Sequence, residues 1–227
     1  MKIKTETHPL IMEETFKQYQ NALLLGKRLL CSHIVKELKS NNMKLKHLYD
    51  HLFKPSLYYI GELWEYNKIS VAVEHMATSI TESIMNTLYE DILPDIQNNR
   101  KVIVSSAENE YHQIGGKMVA DIFELNGWDS YYLGANTPTL DLIRFAHDIQ
   151  PDFIGISLTV YFHVPTLKMM IHTIQKSLIN TPIIIGGQAF RHGSGQELAN
   201  QFENVYFIDS LNSLESFIDS FDSNNDD

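Results

Sequence analysis

Apolar residues recur at the three- and four-residue spacing of amphipathic helices in the N-terminal part of the chain. Three groups follow one another: Phe16, Tyr19 and Leu23; Leu30, Ile34 and Leu38; and Leu45, Leu48 and Leu52. Because side chains three or four positions apart lie on one face of a helix, each group predicts a helix with one buried side. We therefore predict a helical-bundle domain over residues 1–97.

The pattern changes after the polar segment 98–100. Short runs rich in β-branched residues then alternate with amphipathic segments, and they predict five strands, at 102–104, 131–133, 153–157, 183–185 and 205–208. Strands that alternate with helices indicate a parallel sheet with helices packed on both faces. We predict an α/β fold in which the helical bundle is followed, over residues 98–218, by a flavodoxin- or Rossmann-like doubly wound sheet of five parallel strands.

Residues 219–227 are acidic, polar and poor in apolar side chains. A segment of this composition buries too little apolar surface to offset the entropy lost on ordering. We predict that this tail is disordered.

Composition and charge narrow the classes of function. The 227 residues carry a formal net charge of -10 and no cluster of lysines or arginines, which argues against direct binding to nucleic acid. The single cysteine, Cys31, permits no internal disulfide, and no signal peptide or membrane span is recognisable. These features predict a cytoplasmic protein that binds neither nucleic acid nor membranes.

Small and polar residues follow three of the predicted strands and so converge on one edge of the sheet. The first strand is followed by Glu110, His112, Gln113, Ile114 and Gly115, the third ends at Ser157 and Thr159, and the fourth ends at Gly186 and Gly187. Open α/β sheets bind ligands in the crevice beyond these strand ends, so His112 would direct a ring nitrogen at a bound ligand. The glycines would let a ligand approach the backbone, and the hydroxyls would bind its polar atoms.

Each of these residues also has a purely structural interpretation. The glycines ease tight strand-to-helix turns, and Ser157 and Thr159 satisfy backbone groups or cap the following helix. A third interpretation groups Glu108, Glu110 and His112 into a hydrolytic metal or acid-base site. The sequence offers no further histidine or acid at a predictable metal-ligand distance from that group.

The combination of motifs resembles the cobalamin-binding domain. The matching residues are Glu110-x-His112-x-x-Gly115, Ser157-x-Thr159 and Gly186-Gly187. The resemblance implies that His112 displaces the dimethylbenzimidazole base and becomes the lower axial ligand of cobalt. It also implies that the released nucleotide tail enters a channel lined by the Ser and Gly-Gly motifs, with Gln113 and Ile114 inside the histidine motif contacting the cofactor.

The helical half resembles the bundle that covers the corrin in adenosylcobalamin photoreceptor regulators. It contains Trp64 and, after nine intervening residues, Glu74-His75, with Val71 nearby. The resemblance implies that the tryptophan packs on the adenosyl group and that the Glu-His pair and the valine contact its ribose and base. Helical spacing places Val71, Glu74 and His75 on one face, although the same residues would also fit core filling and a solvated ion pair.

The sequence departs from those regulators in two ways. No DNA-binding helical domain precedes the bundle, so we expect that any output passes through a partner protein or through self-association. The repressor branch of the family carries a histidine directly after the tryptophan, whereas this sequence has Glu65. A carboxylate is a poorer cobalt ligand than imidazole, which makes a photoproduct with two histidine ligands doubtful here.

Two functions are compatible with this resemblance. The first is a cobalamin-binding light sensor that holds adenosylcobalamin with its base displaced and signals through a rearranged helical cap to a regulatory protein partner or a second copy in a homodimer. The alternative is a corrinoid carrier protein of a methyltransferase system, which would bind methylcobalamin. Trp64 and Glu74-His75 favour the sensor, because a carrier needs the upper face of its corrin open.

Overall fold

The computed structural model describes residues 9–92 and 97–225. The chain divides into two compact units, Met1–Asp91 and Ile92–Asp227. This division lies before the predicted boundary at 97/98. Residues 93–96, just before that predicted boundary, lie outside the described residues.

The first unit is helical throughout its described part. Its helices are α1 (Pro9–Leu24), α2 (Arg28–Ser40), α3 (Leu45–Leu48), α4 (Lys54–Glu65) and α5 (Val71–Asn86), with a π-helical segment, Tyr49–Phe53, between α3 and α4. All the predicted apolar positions except Phe16 and Leu30 are buried. The predicted helical bundle is therefore confirmed, and its core is formed by the expected faces.

The second unit contains five strands, all parallel: β1 (Lys101–Ser106), β2 (Asp129–Gly134), β3 (Phe153–Ser157), β4 (Ile183–Gly186) and β5 (Val205–Ile208). Their order in the sheet is β2-β1-β3-β4-β5. The connecting and C-terminal helices are α6 (Ile114–Leu125), α7 (Thr139–Ile149), α8 (Val164–Ser177), α9 (Gly195–Ala199) and α10 (Leu211–Asn225). The predicted doubly wound sheet is confirmed, and all five predicted strands are present.

The strand order determines where the predicted ligand-binding edge of the sheet lies. The chain leaves β1 toward one side of the sheet and leaves β3 toward the other, so a crevice opens beyond the ends of these two strands. Ser106 at the end of β1 pairs with Ser157 at the end of β3. Both strands are buried almost throughout, because helices cover a parallel sheet on both faces.

The predicted disorder of the tail is wrong for its first part. Helix α10 continues through Asp219 to Asn225. The Phe221 ring lies 4.7 Å from that of Phe153 and 5.8 Å from that of Trp128, measured between centroids. Asp222 forms an ion pair with Arg100, with 3.1 Å between Oδ1 and Nε. Aromatic burial and one ion pair thus order a segment whose average composition indicates disorder.

None of the helices in the described ranges combines the length and the apolar character needed to cross a bilayer.

Candidate functional site

The loop between β1 and α6 carries the central pair of the site, Glu110 and His112. His112 Nδ1 lies 2.5 Å from Glu110 Oε1, and the same oxygen accepts the backbone N–H of His112 at 3.0 Å. Glu110 is fully buried, whereas the His112 side chain is 40% exposed. The carboxylate therefore fixes the ring through Nδ1, and Nε2, on the far side of the ring, is the nitrogen that would bind a metal.

The second oxygen of Glu110 binds the loop that follows β3. Oε2 accepts the backbone N–H groups of Thr159 at 3.1 Å and Val160 at 2.9 Å. One buried carboxylate thus joins the ends of β1 and β3. Thr159 thus contributes its backbone N–H to this contact, and binding of a ligand by its hydroxyl stays a prediction.

Burial and hydrogen bonding act in opposite directions on the pKa of Glu110. Burial alone would raise this pKa above its ordinary value of 4.5. The hydrogen bonds from the His112 side chain and backbone and from the Val160 N–H outweigh it and lower the pKa to about 2. Glu110 is consequently ionised at any physiological pH and acts as a permanent hydrogen-bond acceptor for His112.

Groups from neighbouring strands hold the backbone of this loop in place. The Ser106 hydroxyl donates to the His112 carbonyl at 3.0 Å, and the Tyr132 hydroxyl donates to the Gln113 carbonyl at 2.6 Å. The backbone N–H of Asn136 donates to the Glu110 carbonyl at 2.9 Å. Sequence reasoning missed Ser106, Tyr132 and Asn136 because their roles depend on contacts between strand ends.

Helix α6 begins immediately after the histidine and approaches β3 closely. Gln113 occupies the position before the first helical residue, Ile114, which is 6% exposed. A Cβ atom placed on Gly115 would lie 3.3 Å from the Ser157 hydroxyl oxygen. Gly115 and Ser157 are therefore brought together, as their place in the predicted channel requires. Their contact with a ligand stays a prediction.

The glycine pair at the end of β4, Gly186 and Gly187, is required by the packing of the protein itself. A Cβ atom on Gly186 would lie 2.6 Å from the Ile208 carbonyl oxygen. One on Gly187, whose φ is +114°, would lie 2.2 Å from the Leu158 carbonyl oxygen. Packing of the neighbouring strands alone thus requires glycine at both positions. Any role of the pair in binding a ligand is additional to this requirement.

The structure separates Glu108 from the Glu110–His112 pair. Glu108 Oε2 accepts the hydroxyl of Thr139 at 2.6 Å and its backbone N–H at 3.2 Å, at the start of α7. Within the described part of the chain, no three histidine, cysteine, aspartate or glutamate side chains form a group able to hold a metal ion. A hydrolytic metal site at Glu108, Glu110 and His112 therefore lacks the cluster that it requires.

In the helical unit, the predicted ligand-contacting residues lie around the start of α5 and the end of α4. Trp64 is 43% exposed and Val71 is 48% exposed. Glu74 is held within its own helix, since Oε2 lies 2.5 Å from His75 Nδ1 and Oε1 accepts the Thr78 hydroxyl at 2.8 Å. This surface thus combines exposed apolar side chains with an oriented carboxylate, and its contact with a ligand stays a prediction.

The donor set at the sheet edge fits a cobalt-centred corrin. Cobalt prefers an imidazole nitrogen, and a carboxylate on the other ring nitrogen fixes the tautomer and raises the basicity of the ligand. His112 and Glu110 show this arrangement, with the histidine side chain partly exposed and the carboxylate fully buried. The pair has the chemistry of an oriented single ligand, which suits a metal whose remaining positions are filled by a ring.

Comparison with known proteins identifies both units. Two family models described as "B12 binding domain" match the chain, one over residues 15–89 and the other over residues 100–208. The first lies within the helical unit, and the second contains the sheet and the loop of His112. Together they cover most of the chain.

Two curated relatives are similar over part of their length. The HTH-type transcriptional repressor CarH of Myxococcus xanthus is 24% identical over 144 residues, which are 63% of this chain and 48% of that protein. Dimethylamine corrinoid protein 1 of Methanosarcina acetivorans is 22% identical over 133 residues, which are 56% of this chain and 62% of that protein. The matches thus span about half to three fifths of the length of these relatives.

A solved structure matches over almost its whole length. The monomethylamine corrinoid protein of Methanosarcina barkeri superimposes with a TM-score of 0.74 at 13% identity, covering 91% of this chain and 97% of that protein. At this level of identity the likeness is one of fold.

Proposed function

Because the chain is a cobalamin-binding protein composed of two B12 binding domains, we propose that it is a light sensor that binds adenosylcobalamin with His112 as the lower axial ligand. The Glu110–His112 pair, whose ring nitrogen lies 2.5 Å from a buried carboxylate, supports the axial-ligand role of His112. The observation that carries the sensor function is the joint presence of this pair with Trp64 and Glu74-His75. The pair is ready to replace the benzimidazole base of the cofactor. The displaced nucleotide tail would then lie along Gly115, Ser157, Gly186 and Gly187.

The helical unit supplies contacts for the upper ligand in this proposal. Trp64 and Val71 offer exposed apolar surface for the adenine, and Glu74 offers a carboxylate, already oriented by His75 and Thr78, for the ribose hydroxyls. When bound, adenosylcobalamin supplies a cobalt–carbon bond that visible light cleaves. Trp64, Val71 and Glu74 would lose their partners if the adenosyl group were released.

The signal would be a shift in population of the helical unit. A ligand can bias a protein only through interactions that differ between two states, and the adenosyl contacts supply that difference. A regulatory partner protein, or a second copy of this chain, that binds one state more tightly would detect the change. Glu65, which follows Trp64, is a weak cobalt ligand, so we expect no second histidine bond formed from that position.

Illumination of the reconstituted protein tests this function. The purified chain is incubated with adenosylcobalamin in darkness and then exposed to visible light, while absorbance and molecular mass in solution are followed. We expect the corrin bands to change on illumination and the molecular mass, or the binding of a partner, to change with them. Unchanged absorbance and unchanged mass would remove the sensor function.

A corrinoid carrier for a methyltransferase is the second candidate, and the match to dimethylamine corrinoid protein 1 favours it. A carrier must leave its methyl group open to a partner enzyme, so it gains nothing from adenosyl contacts. The ratio of the affinities for adenosylcobalamin and methylcobalamin separates the two functions. A sensor should prefer the adenosyl form in darkness, whereas a preference for the methyl form would favour the carrier.

A further inference from the structure

A second histidine lies beside the carboxylate that orients His112. His163 ends a short 3₁₀ turn directly before α8, and its Nδ1 atom lies 3.6 Å from Glu110 Oε2. This nitrogen is buried, and it has no hydrogen-bond partner within the part of the chain that the structure describes. Buried polar atoms are nearly always satisfied, so a buried nitrogen this close to a carboxylate requires an explanation.

The neighbouring carboxylate determines which nitrogen of His163 carries the proton. With Nδ1 deprotonated, its lone pair would face the negative Oε2 atom in a buried environment, and the two would repel each other. With Nδ1 protonated, the same geometry becomes attractive. The distance exceeds that of a hydrogen bond by only a few tenths of an ångström, which a small rotation of the ring would close.

Glu110 is placed to connect the two histidines. Its Oε1 atom accepts both hydrogen bonds from His112, and its Oε2 atom faces His163 together with the backbone N–H groups of Thr159 and Val160. The turn Tyr161–His163 follows these two backbone donors directly. The same short segment therefore approaches Oε2 with two backbone donors and one side-chain nitrogen.

We propose that His163 is a positioning residue for His112 and acts through Glu110. Its Nδ1–H group holds the carboxylate from the side opposite to His112, and the carboxylate in turn holds the His112 ring. The relevance of these contacts to cobalamin binding rests on the proposed role of His112 as the cobalt ligand. The contacts from His163 through Glu110 to His112 lie within the protein and can be measured without the cofactor.

The test compares two substitutions at His163 with a matched control. His163→Leu removes the ring nitrogen, whereas His163→Asn places an amide N–H group near the position of Nδ1. The control, His172→Leu, alters an exposed histidine of α8, the helix that directly follows His163. For each variant, NMR spectra of the histidine ring nitrogens are recorded on the protein without cofactor, and the affinity for adenosylcobalamin is measured in darkness.

We expect Nδ1 of His163 to be protonated in the wild type. His163→Leu should shift the ring resonances of His112 and lower the affinity roughly tenfold, the lower end of the effect of removing a residue that supports a metal ligand. His163→Asn should restore both properties in large part, and His172→Leu should change neither.

Two results would overturn the proposal. In the first, His163→Leu leaves the ring resonances of His112 unchanged. His163 would then have at most a structural role, even if the affinity for adenosylcobalamin fell. The other is a failure of His163→Asn to restore what His163→Leu removes. His112→Ala keeps the two proposals apart: if it binds cobalamin with a wild-type spectrum, the proposed function fails, while the NMR measurement still decides the role of His163.

Discussion

The two carboxylates of the proposed cofactor contacts, Glu110 and Glu74, are oriented by different means. The donors to Glu110 Oε2 come from Thr159 and Val160, 49 and 50 positions further along the chain. Glu74 receives its contacts from His75 and Thr78, one and four positions away on the same helix. The Glu110 geometry is therefore a product of the tertiary fold, whereas that of Glu74 needs only a formed helix.

Burial follows the same division. Glu110 is fully buried, while the residues near Glu74 that would contact an adenosyl group, Trp64 and Val71, are about half exposed. The comparison teaches that the contacts of Glu110 and His112 form within the protein alone, without a cofactor. In the proposed function, the exposed side chains near Glu74 would gain most of their burial from the ligand, which suits a surface that responds to loss of that ligand.

The largest expected effect is that of removing the proposed metal ligand. His112→Ala deletes the imidazole that Glu110 orients and leaves the rest of the loop intact. We expect the affinity for adenosylcobalamin to fall about a hundredfold or more, because even residues that only support a metal ligand contribute ten- to a hundredfold. The measurement is equilibrium binding in darkness, together with the absorption spectrum of the bound corrin.

His147→Ala provides the control, since His147 is an exposed histidine near the end of α7. It should bind cobalamin as the wild type does. If His112→Ala kept both the wild-type affinity for cobalamin and the wild-type absorption spectrum, the Glu110–His112 pair would serve another purpose.

Replacing the buried carboxylate should have the next largest effect. In Glu110→Gln the side-chain amide group must face N–H donors of His112 or of the loop after β3, so one set of hydrogen bonds is lost. We expect a loss of cobalamin affinity of ten- to a hundredfold. Comparing the wild type and the variant by equilibrium binding in darkness measures this loss.

The same variant has a predicted signature in the pH dependence of stability. The pKa of Glu110 is lowered in the folded protein from 4.5 to about 2, so the ionised carboxylate stabilises the fold above pH 4.5. That contribution is lost as the pH falls from 4.5 toward 2, where the folded state also becomes protonated. In Glu110→Gln, the free energy of unfolding should decline less steeply over this interval, and an unchanged slope would contradict the assigned pKa.

The fold was predictable from the sequence wherever burial is continuous along the chain. The runs at 102–104, 153–157 and 183–185 are β-branched or apolar and lie in buried strands, so the pattern identifies them within one or two residues. The disorder predicted for the first part of the C-terminal tail was wrong because composition averages over residues. One aromatic residue of this segment, Phe221, packs on Phe153 and Trp128, and a single residue leaves little trace in the composition of a segment.

The sequence predicted which residues meet at the strand ends better than it predicted their contacts. Glu110 contacts His112, and Gly115 approaches Ser157. The structure adds that Thr159 contributes its backbone N–H and that glycine at 187 avoids a clash with the Leu158 carbonyl, while contact of these residues with a ligand stays a prediction. Such roles depend on distances between loops, which residue types alone do not encode.

The smallest expected effect concerns the helical unit and is selective for the upper ligand. Trp64→Ala should lower the affinity for adenosylcobalamin about tenfold, since a stacked aromatic ring contributes on the order of 1 kcal/mol beyond the area it buries. The affinity for methylcobalamin should not change, because a methyl group is too small to reach the Trp64 ring. Tyr59→Ala is the matched control, as Tyr59 lies on the same helix with nearly the same exposed fraction, 41% against 43%. If Trp64→Ala weakened both cobalamins equally, the ring would act on the corrin or on the stability of the helical unit, and the contrast between a preformed lower site and a ligand-dependent upper surface would not hold.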